Sequence, residues 1–481
     1  MSDAKIKVFI KENAGRIKKI NGGSLAPPIA LEKAGLNIRK EFKALNLPLT
    51  RLHDAPYDNP GMRLVDVHHI FANFHADAAD PRNYYFKQTD DYIKNCIELG
   101  TGIIYRLGES IEWGVNKYFV FPPEDYDKWI DICSHIILHY TESWAKGFQF
   151  KIEYWEIWNE PEGVTPDGDK PNWGGSYEEY LEFYVKVATE LKKRFPHLKF
   201  GGPSHTCYKA KTRQFFAACA KTKAPVDFYS WHSYGLTIKE NVEQIQIVKN
   251  WAIEAGYPNT ELHLNEWHHT QTYPVPPGNW RADKALSKLI YEGFPSLESG
   301  AYSSALLSAW QDTVLDMSCF YTVTTNFGSC YGVFDKYGIP TKCYYGLKAF
   351  GEIVRYANRV KTESDNANVY VLAGKNESGA AILISSFRNG HGKIMMELDS
   401  EPEHCELFTL DEQHDLEPVP LVCNGNIIEI GCNSDSTVHL LKLFFDQKSW
   451  EESHNERYPL VDKIEVESGK DKVYHNPCAA E

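Results

Sequence analysis

Apolar positions fall in two rhythms along the chain. Between about residues 26 and 355, short apolar runs alternate with stretches whose apolar residues recur every three or four positions. The first spacing predicts strands, the second amphipathic helices. The runs Leu49–His53, Val65–Phe71, Ile103–Leu107, Glu153–Pro161, Phe200–Pro203, Asp227–His232, Leu262–Trp267 and Tyr302–Trp310 read as eight strands. Helices are expected over Leu31–Leu45, Gln88–Leu99 (capped by Gly100), Glu124–Ser143, Tyr177–Phe195 (stopped by Pro196), Arg213–Lys221 and Asn241–Ala255. A long loop through Pro274, Pro276 and Pro277 leads to a last one near Ala282–Gly293. Strand–helix alternation implies a parallel sheet with right-handed crossovers. Eight units of about 30 residues close as a (β/α)8 barrel, so the fold class is α/β.

Past Tyr356 the helical rhythm stops. Val369–Leu372, Ala381–Ser385, Lys393–Glu397, Cys405–Phe408 and Thr437–Leu441 are short strands at the spacing of a β-sandwich, assigned to residues 356–447. Two N-terminal runs, Ile6–Ile10 and Arg16–Ile20, flank an Asn13-Ala14-Gly15 turn; residues 1–25 are expected to add strands to that sandwich. Residues 448–481 are charged and weakly patterned, a tail expected to pack along the surface.

Two of the predicted barrel strands end alike. The fourth is apolar and aromatic and closes on Asn159-Glu160-Pro161; the seventh closes on Asn265-Glu266-Trp267. Pro161 removes a backbone donor and keeps Glu160 out of the helical region, so the strand must stop there. Roughly a hundred residues between the two glutamates fit three strand–helix units, which puts them across the barrel mouth from each other. A carboxyl among aromatics holds its proton nearer neutral pH, because apolar surroundings disfavour the charge. Two carboxylates over one cleft are the equipment of glycoside hydrolysis. The plainer readings are two ordinary strand ends, or a sugar-binding barrel without catalysis.

Composition narrows the partners. A net charge of −14 without a basic block argues against nucleic acid. Aromatics at 13%, with 12 Trp, suit stacking on sugar rings, although large barrels also bury many. The 11 Cys form no CxxC pair and signal neither zinc nor disulfides; Cys96, Cys133 and Cys219 read as buried thiols. His68-His69 and His268-His269 are neighbours on strands and point to opposite faces, so neither pair chelates one ion. No cofactor or metal is expected. No apolar N-terminal stretch or membrane-length run is found, so the expectation is a cytoplasmic protein, or a trimmed periplasmic or secreted one, outside the membrane. A homo-oligomer stays open.

The chain resembles glycoside hydrolase family 39, a family of β-xylosidases and α-L-iduronidases. The resemblance rests on Arg51-Leu52-His53, Glu156-Ile157-Trp158-Asn159-Glu160-Pro161, Phe200-Gly201-Gly202-Pro203, Pro225-Val226-Asp227-Phe228 with His232, Leu262–Glu266 and Trp310. It extends through Tyr331-Gly332-Val333, Ile339-Pro340 and Tyr344–Phe350. It implies a retaining exo-glycosidase acting on oligosaccharides or small glycosides, with β-D-xylosides the expected substrate and iduronidase, glucosidase, galactosidase or arabinosidase activity as alternatives. By the same resemblance Glu160 is the acid/base and Glu266 the nucleophile. Asn159 is then a donor to the sugar 2-hydroxyl, His232 an orienting group near Glu266, and Arg51 and His53 hydroxyl binders or supports of the nucleophile. Trp310 is a floor under the sugar ring or plain core. Asn265, where the family usually has Thr, and Trp267 beside it depart from the pattern next to the sugar and bear on which sugar is bound.

Overall fold

The chain begins with a strand that belongs to its far end. Strand β1 (Ala4–Arg16) buries Ala4, Ile6, Val8 and Ile10 and exposes or half-exposes the residues between them, the two-residue period of a sheet with one covered face. Eight parallel strands follow: β2 (Asn21–Ser24), β3 (Leu49–Leu52), β4 (Gly102–Leu107), β5 (Tyr154–Ile157), β6 (Lys199–His205), β7 (Phe228–Ser233), β8 (Glu261–Trp267) and β9 (Met317–Phe320). They pair in sequence order and close where β2 bonds β9. This computed structural model describes residues 3–457, apart from 28–36, 56–62, 166, 272–282, 326–331 and 422.

The barrel is present, but its first and last strands are not the expected ones. Asn21–Ser24, assigned with residues 1–25 to the accessory sheet, is the first barrel strand. Its Asn-Gly-Gly-Ser sequence has no strand propensity. It is a strand because its neighbours leave room for nothing larger: a Cβ at Gly22 would lie 2.6 Å from the Ser318 carbonyl oxygen, and one at Gly23 would lie 2.3 Å from Val323. Val65–Phe71, read as a strand, holds the short helix Val67–Ile70. Tyr302–Trp310 falls in and just after the helix Leu297–Ala309, and the eighth strand is Met317–Phe320. One strand is gained before Leu49 and one lost after it. The Glu160 strand therefore stays fourth and the Glu266 strand seventh.

The helices around the barrel follow the sequence more closely. Tyr177–Arg194 and Ile238–Glu254 each start at a capping box, Ser176 with Glu179 and Thr237 with Glu240, which satisfies end donors from both sides. Of the expected Leu31–Leu45 helix, Arg39–Ala44 is helical and residues 31–36 lie outside the described ones. Lys284–Gly293 is helical; Pro274, Pro276, Pro277 and Tyr331 also lie outside the described residues. Among the described residues no helix is long and apolar enough to cross a membrane.

The accessory unit is one curled ten-stranded sheet made by β1 with β10 (Asn358–Ser364), β11 (Val369–Asn376), β12 (Gly379–Ser386), β13 (Gly392–Leu398), β14 (His404–Leu410), β15 (Asp415–Val419), β16 (Cys423–Asn424), β17 (Ile427–Cys432) and β18 (Thr437–Phe444). β1 lies between β10, antiparallel to it, and β13, parallel to it. The expected Asn13–Gly15 turn is a register irregularity inside β1, so Arg16 still pairs with Asn358. The sheet curls until Ile6 and Val8 share one apolar core with Ile382, Ile384, Ile430 and Leu441. The barrel helices Leu297–Ala309 and Lys342–Ile353 carry it; at Gly346 a Cβ would lie 2.2 Å from the Gly300 carbonyl oxygen. The Ser385 and Ser304 hydroxyls bond across this seam at 2.6 Å. Of the expected tail, Gln447–Arg457 is helical and residues 458–481 lie outside the described ones.

Candidate active site

Strand alternation turns Arg51 of β3, Glu156 of β5, Ser230 and His232 of β7, and Glu266 of β8 into the barrel, near the C-terminal ends. Two irregularities add to this set. The β6–β7 ladder skips Ser204 and the β7–β8 ladder skips Asn265. A skipped residue re-aims its side chain, which is how Asn265 and Glu266, neighbours in sequence, both reach the interior. The backbone at Trp158, Glu160 and Ser204 is left-handed, with φ of 72°, 45° and 61°. Such geometry is costly for side chains other than glycine and persists where surrounding contacts hold it. Here the Glu160 N–H donates to the Ser204 carbonyl at 3.1 Å and the Trp158 N–H to Leu107 at 2.8 Å.

Arg51 ties the interior together. Fully buried, it donates from Nε to Glu156 Oε2 and from Nη1 to Glu266 Oε1, each at 2.6 Å. Its Nη2 donates to Asn159 Oδ1 at 2.7 Å and to Ser204 Oγ at 2.8 Å. Burial works against its charge, but Glu156 and Glu266 outweigh burial and hold the guanidinium above its ordinary pKa. Glu156 is equally buried and also accepts from Ser230 Oγ at 2.8 Å and Asn265 Nδ2 at 2.6 Å. A buried charge survives only when paired and hydrogen-bonded in this way.

Glu266 and Glu160 meet over one histidine. Glu266 Oε2 accepts from Tyr234 Oη at 2.7 Å and lies 3.5 Å from His232 Nδ1. Glu160 Oε1 lies 2.7 Å from that same Nδ1, and Glu160 Oε2 accepts from Asn172 Nδ2 at 3.1 Å. One ligating atom from each of Glu160, His232 and Glu266 falls within 4.8 Å of the other two. Burial pushes the Glu266 carboxyl above its usual range and Glu160 adds to this, whereas His232, Arg51 and Tyr234 pull it back. Burial drives His232 down to about 4, so at neutral pH the imidazole is uncharged. Tyr234, raised by burial and by Glu266, stays a proton donor. The Glu160 side chain is 19% exposed, against 8% for Glu266, so the cleft opens on the Glu160 side.

The other anticipated residues divide. His53 is buried; Arg106 Nε donates to its Nδ1 at 3.2 Å, and burial with Arg51 and Arg106 nearby holds it neutral. Its Nε2 faces Asp54 Oδ2 at 3.3 Å, whereas Asn159 Nδ2, Asn265 Oδ1 and Trp267 Nε1 are buried with no hydrogen-bond partner among the described residues. Trp267 stands edge-on to Trp310 and Phe320, with ring centres 5.0 and 5.1 Å away. Trp310 is wholly buried and donates from Nε1 to the Asn241 carbonyl in the neighbouring helix at 3.3 Å. It backs Trp267 from the helix layer, while the end of the eighth strand, where Trp310 was expected, is Phe320.

Sequence reasoning gave no role to Glu156, Asn172, Ser204, Ser230 or Tyr234, nor to Glu162. Glu162 accepts from the Thr206 N–H at 2.7 Å, and burial raises its carboxyl to about 7. Glu156 was visible as a charge inside an aromatic strand; the others carry no local signal. A second acid–histidine group, Asp66, His68 and Glu109, lies beyond the third strand. There Asp66 is taken up by Arg106 at 2.5 Å and by Ser110, and Glu109 bonds His68, so the cluster reads as internal ion pairing. His268 bonds the Tyr321 carbonyl and His269 bonds Glu298.

Comparison with known proteins agrees with this architecture. The family model described as glycosyl hydrolases family 39 matches residues 33–387. A β-xylosidase of Geobacillus stearothermophilus is 28% identical over 209 residues, a stretch covering 38% of this chain and 39% of that enzyme, so well under half of the relative is matched. Among solved structures, a glucosidase from Croceicoccus marinus superposes with a TM-score of 0.73 at 20% identity, covering 93% of this chain and all of that one. A monomeric β-xylosidase from Caulobacter crescentus CB15 superposes with a TM-score of 0.67 at 16% identity, covering 92% of this chain and all of that one. These two likenesses are likenesses of fold.

Proposed function

The chain belongs to glycosyl hydrolase family 39, and from that premise we propose that it is a retaining exo-glycosidase in which Glu160 is the acid/base and Glu266 the nucleophile. The observation that carries the assignment is the shared His232 Nδ1, with oxygens of the two carboxyls within 4.8 Å of one another. Retention needs carboxyl groups about 5–5.5 Å apart, whereas inversion needs room for a water between them, at roughly 6.5–9.5 Å.

In the first step Glu160 gives its proton to the glycosidic oxygen. A Glu266 oxygen bonds the anomeric carbon as the bond to the leaving group breaks, and an alcohol departs. Arg51 and Tyr234 favour the ionised Glu266 that this step requires. Ester formation removes the Glu266 charge, which makes Glu160 more acidic just as it must become a base. Glu160 then takes a proton from water, the water oxygen bonds the anomeric carbon, and the ester bond breaks. Sugar of unchanged anomeric configuration leaves, and both carboxyls return to their starting states. The unpartnered atoms of Asn159, Asn265 and Trp267 suit sugar hydroxyls, because a buried polar group without a partner is costly until a ligand supplies one.

For the substrate we propose terminal β-D-xylosyl residues of oligosaccharides or aryl xylosides; the Geobacillus relative, a β-xylosidase, supports that choice. Two measurements test the reading. NMR of early product from an aryl β-xyloside should show β-xylose before mutarotation. Glu266→Gly should lose about 10⁴-fold or more in kcat and regain turnover with azide, releasing an α-glycosyl azide. An α-configured first product, or Glu266→Gly with near-normal activity, would overturn it.

A further inference from the structure

Ser204 stands at the centre of the polar interior, and its hydroxyl has one proton and two lone pairs to assign. Arg51 Nη2 can only donate, and it reaches Oγ at 2.8 Å. The Asn265 amide orientation follows from Glu156. That carboxylate, paired with Arg51, can only accept, so the group 2.6 Å from its Oε1 is the Asn265 NH2. The same NH2 lies 2.9 Å from Ser204 Oγ. Both lone pairs of the hydroxyl are therefore in use, and its proton points to its remaining partner, His232 Nε2, at 2.7 Å. An Nε2 that accepts carries no proton. His232 then holds its proton on Nδ1 and donates it to Glu160 Oε1 at 2.7 Å.

We propose that Ser204 is a positioning residue that sets the His232 tautomer and, through it, the oxygen of Glu160 that handles the proton. Both Glu160 oxygens accept, Oε1 from His232 at 2.7 Å and Oε2 from the Asn172 amide at the longer 3.1 Å; the more weakly held Oε2 delivers the proton to the leaving group and takes one back from water. Ser204 owes its place to the strand irregularity and to its left-handed backbone, and its carbonyl also accepts the Glu160 N–H. The catalytic sense of this inference rests on Glu160 being the acid/base; the tautomer does not.

The experiment separates the two. In ¹⁵N NMR of the intact wild-type protein, His232 should show a protonated Nδ1 and an unprotonated, hydrogen-bonded Nε2 between pH 6 and 8. Ser204→Ala removes the donor to Nε2, which frees the proton to move there and lets Nδ1 accept from protonated Glu160. The basic limb of the kcat/KM pH profile should then move up by about one pH unit. On activated aryl glycosides, where hydrolysis of the ester limits turnover, kcat and KM should fall together by about tenfold. Ser204→Gly, relaxed at this φ, should behave as Ser204→Ala does if the hydroxyl is the agent. A protonated Nε2 in the wild type, an unmoved pH profile in Ser204→Ala, or a wild-type profile in Ser204→Gly would overturn the proposal. If Ser204→Ala does not fold, the wild-type spectrum and the glycine variant decide it. Correct NMR with an inactive role for Glu160 would sink the functional reading and leave the tautomer standing.

Discussion

The barrel mouth and the curled sheet bury their interiors by opposite means. Inside the curled sheet the covered face is aliphatic: Ile6, Val8, Ile382, Ile384, Ile394, Met396 and Leu441. In the barrel mouth comparable burial is spent on Arg51, Glu156, Glu266, His232 and Asn265. Aliphatic burial stabilises by area, about 25 cal/mol per Å². A buried ion network at best offsets its own desolvation and stabilises little against an apolar replacement. One region exists to hold the chain together; the other is held so that charge can be used.

Four experiments break or sharpen that contrast, from the largest effect to the smallest. Glu160→Ala should lower kcat/KM on glycosides with poor leaving groups by about 10²–10⁴-fold, while bond cleavage with very good leaving groups is nearly spared. Equal losses on both would remove the acid role. Arg51→Met leaves Glu156 and Glu266 buried without their cation; it should cost about 3–5 kcal/mol in urea unfolding together with nearly all activity. Ile382→Ala in the curled sheet should cost about 2–5 kcal/mol, yet leave kcat unchanged at temperatures where the protein is folded. A marked fall in kcat there would show the sheet reaching the chemistry.

The smallest effect concerns acid. Burial lowers both His232 in the barrel and His439 in the sheet to about 4, from an ordinary 6.5. Between those values the unfolded chain binds a proton that the fold refuses. Stability is thus full above about pH 6.5 and falls as pH drops towards 4, by up to about 3 kcal/mol per histidine. His439→Asn should flatten part of this loss without touching turnover, and unfolding midpoints from pH 7 to 4 would show it. His232→Asn should flatten a similar part and also change the rate profile.

The sequence was most legible where local and global demands agree. Strands β4 to β8 combine apolar runs with firm stops, and the two Asn-Glu endings marked the cleft because a carboxylate after aromatics has little structural reason to be there. Asn21–Ser24 was invisible, since its glycines answer to the crowding of Ser318 and Val323 rather than to propensity. The Leu297–Ala309 helix was misread for the opposite reason. Buried nearly all round between barrel and sheet, it shows no polar face from which a helical period could be read. Trp310 followed that error into the wrong layer. Ser204, Ser230 and Tyr234 could not be found, because a lone hydroxyl gains meaning only from partners far along the chain.

The placement of β1 sets an order of events in the making of this protein. Lys5 bonds Asp365, 360 residues further on, and Val8 is paired on one side with Thr362 and on the other with Leu398. A ribosome adding about 5–20 residues per second leaves that first strand waiting for tens of seconds, its apolar edge bare, while every barrel strand emerges and finds its neighbour. Strand β1 is thus made before the barrel and secured after it, and a newly made chain is most open to mispairing along this strand.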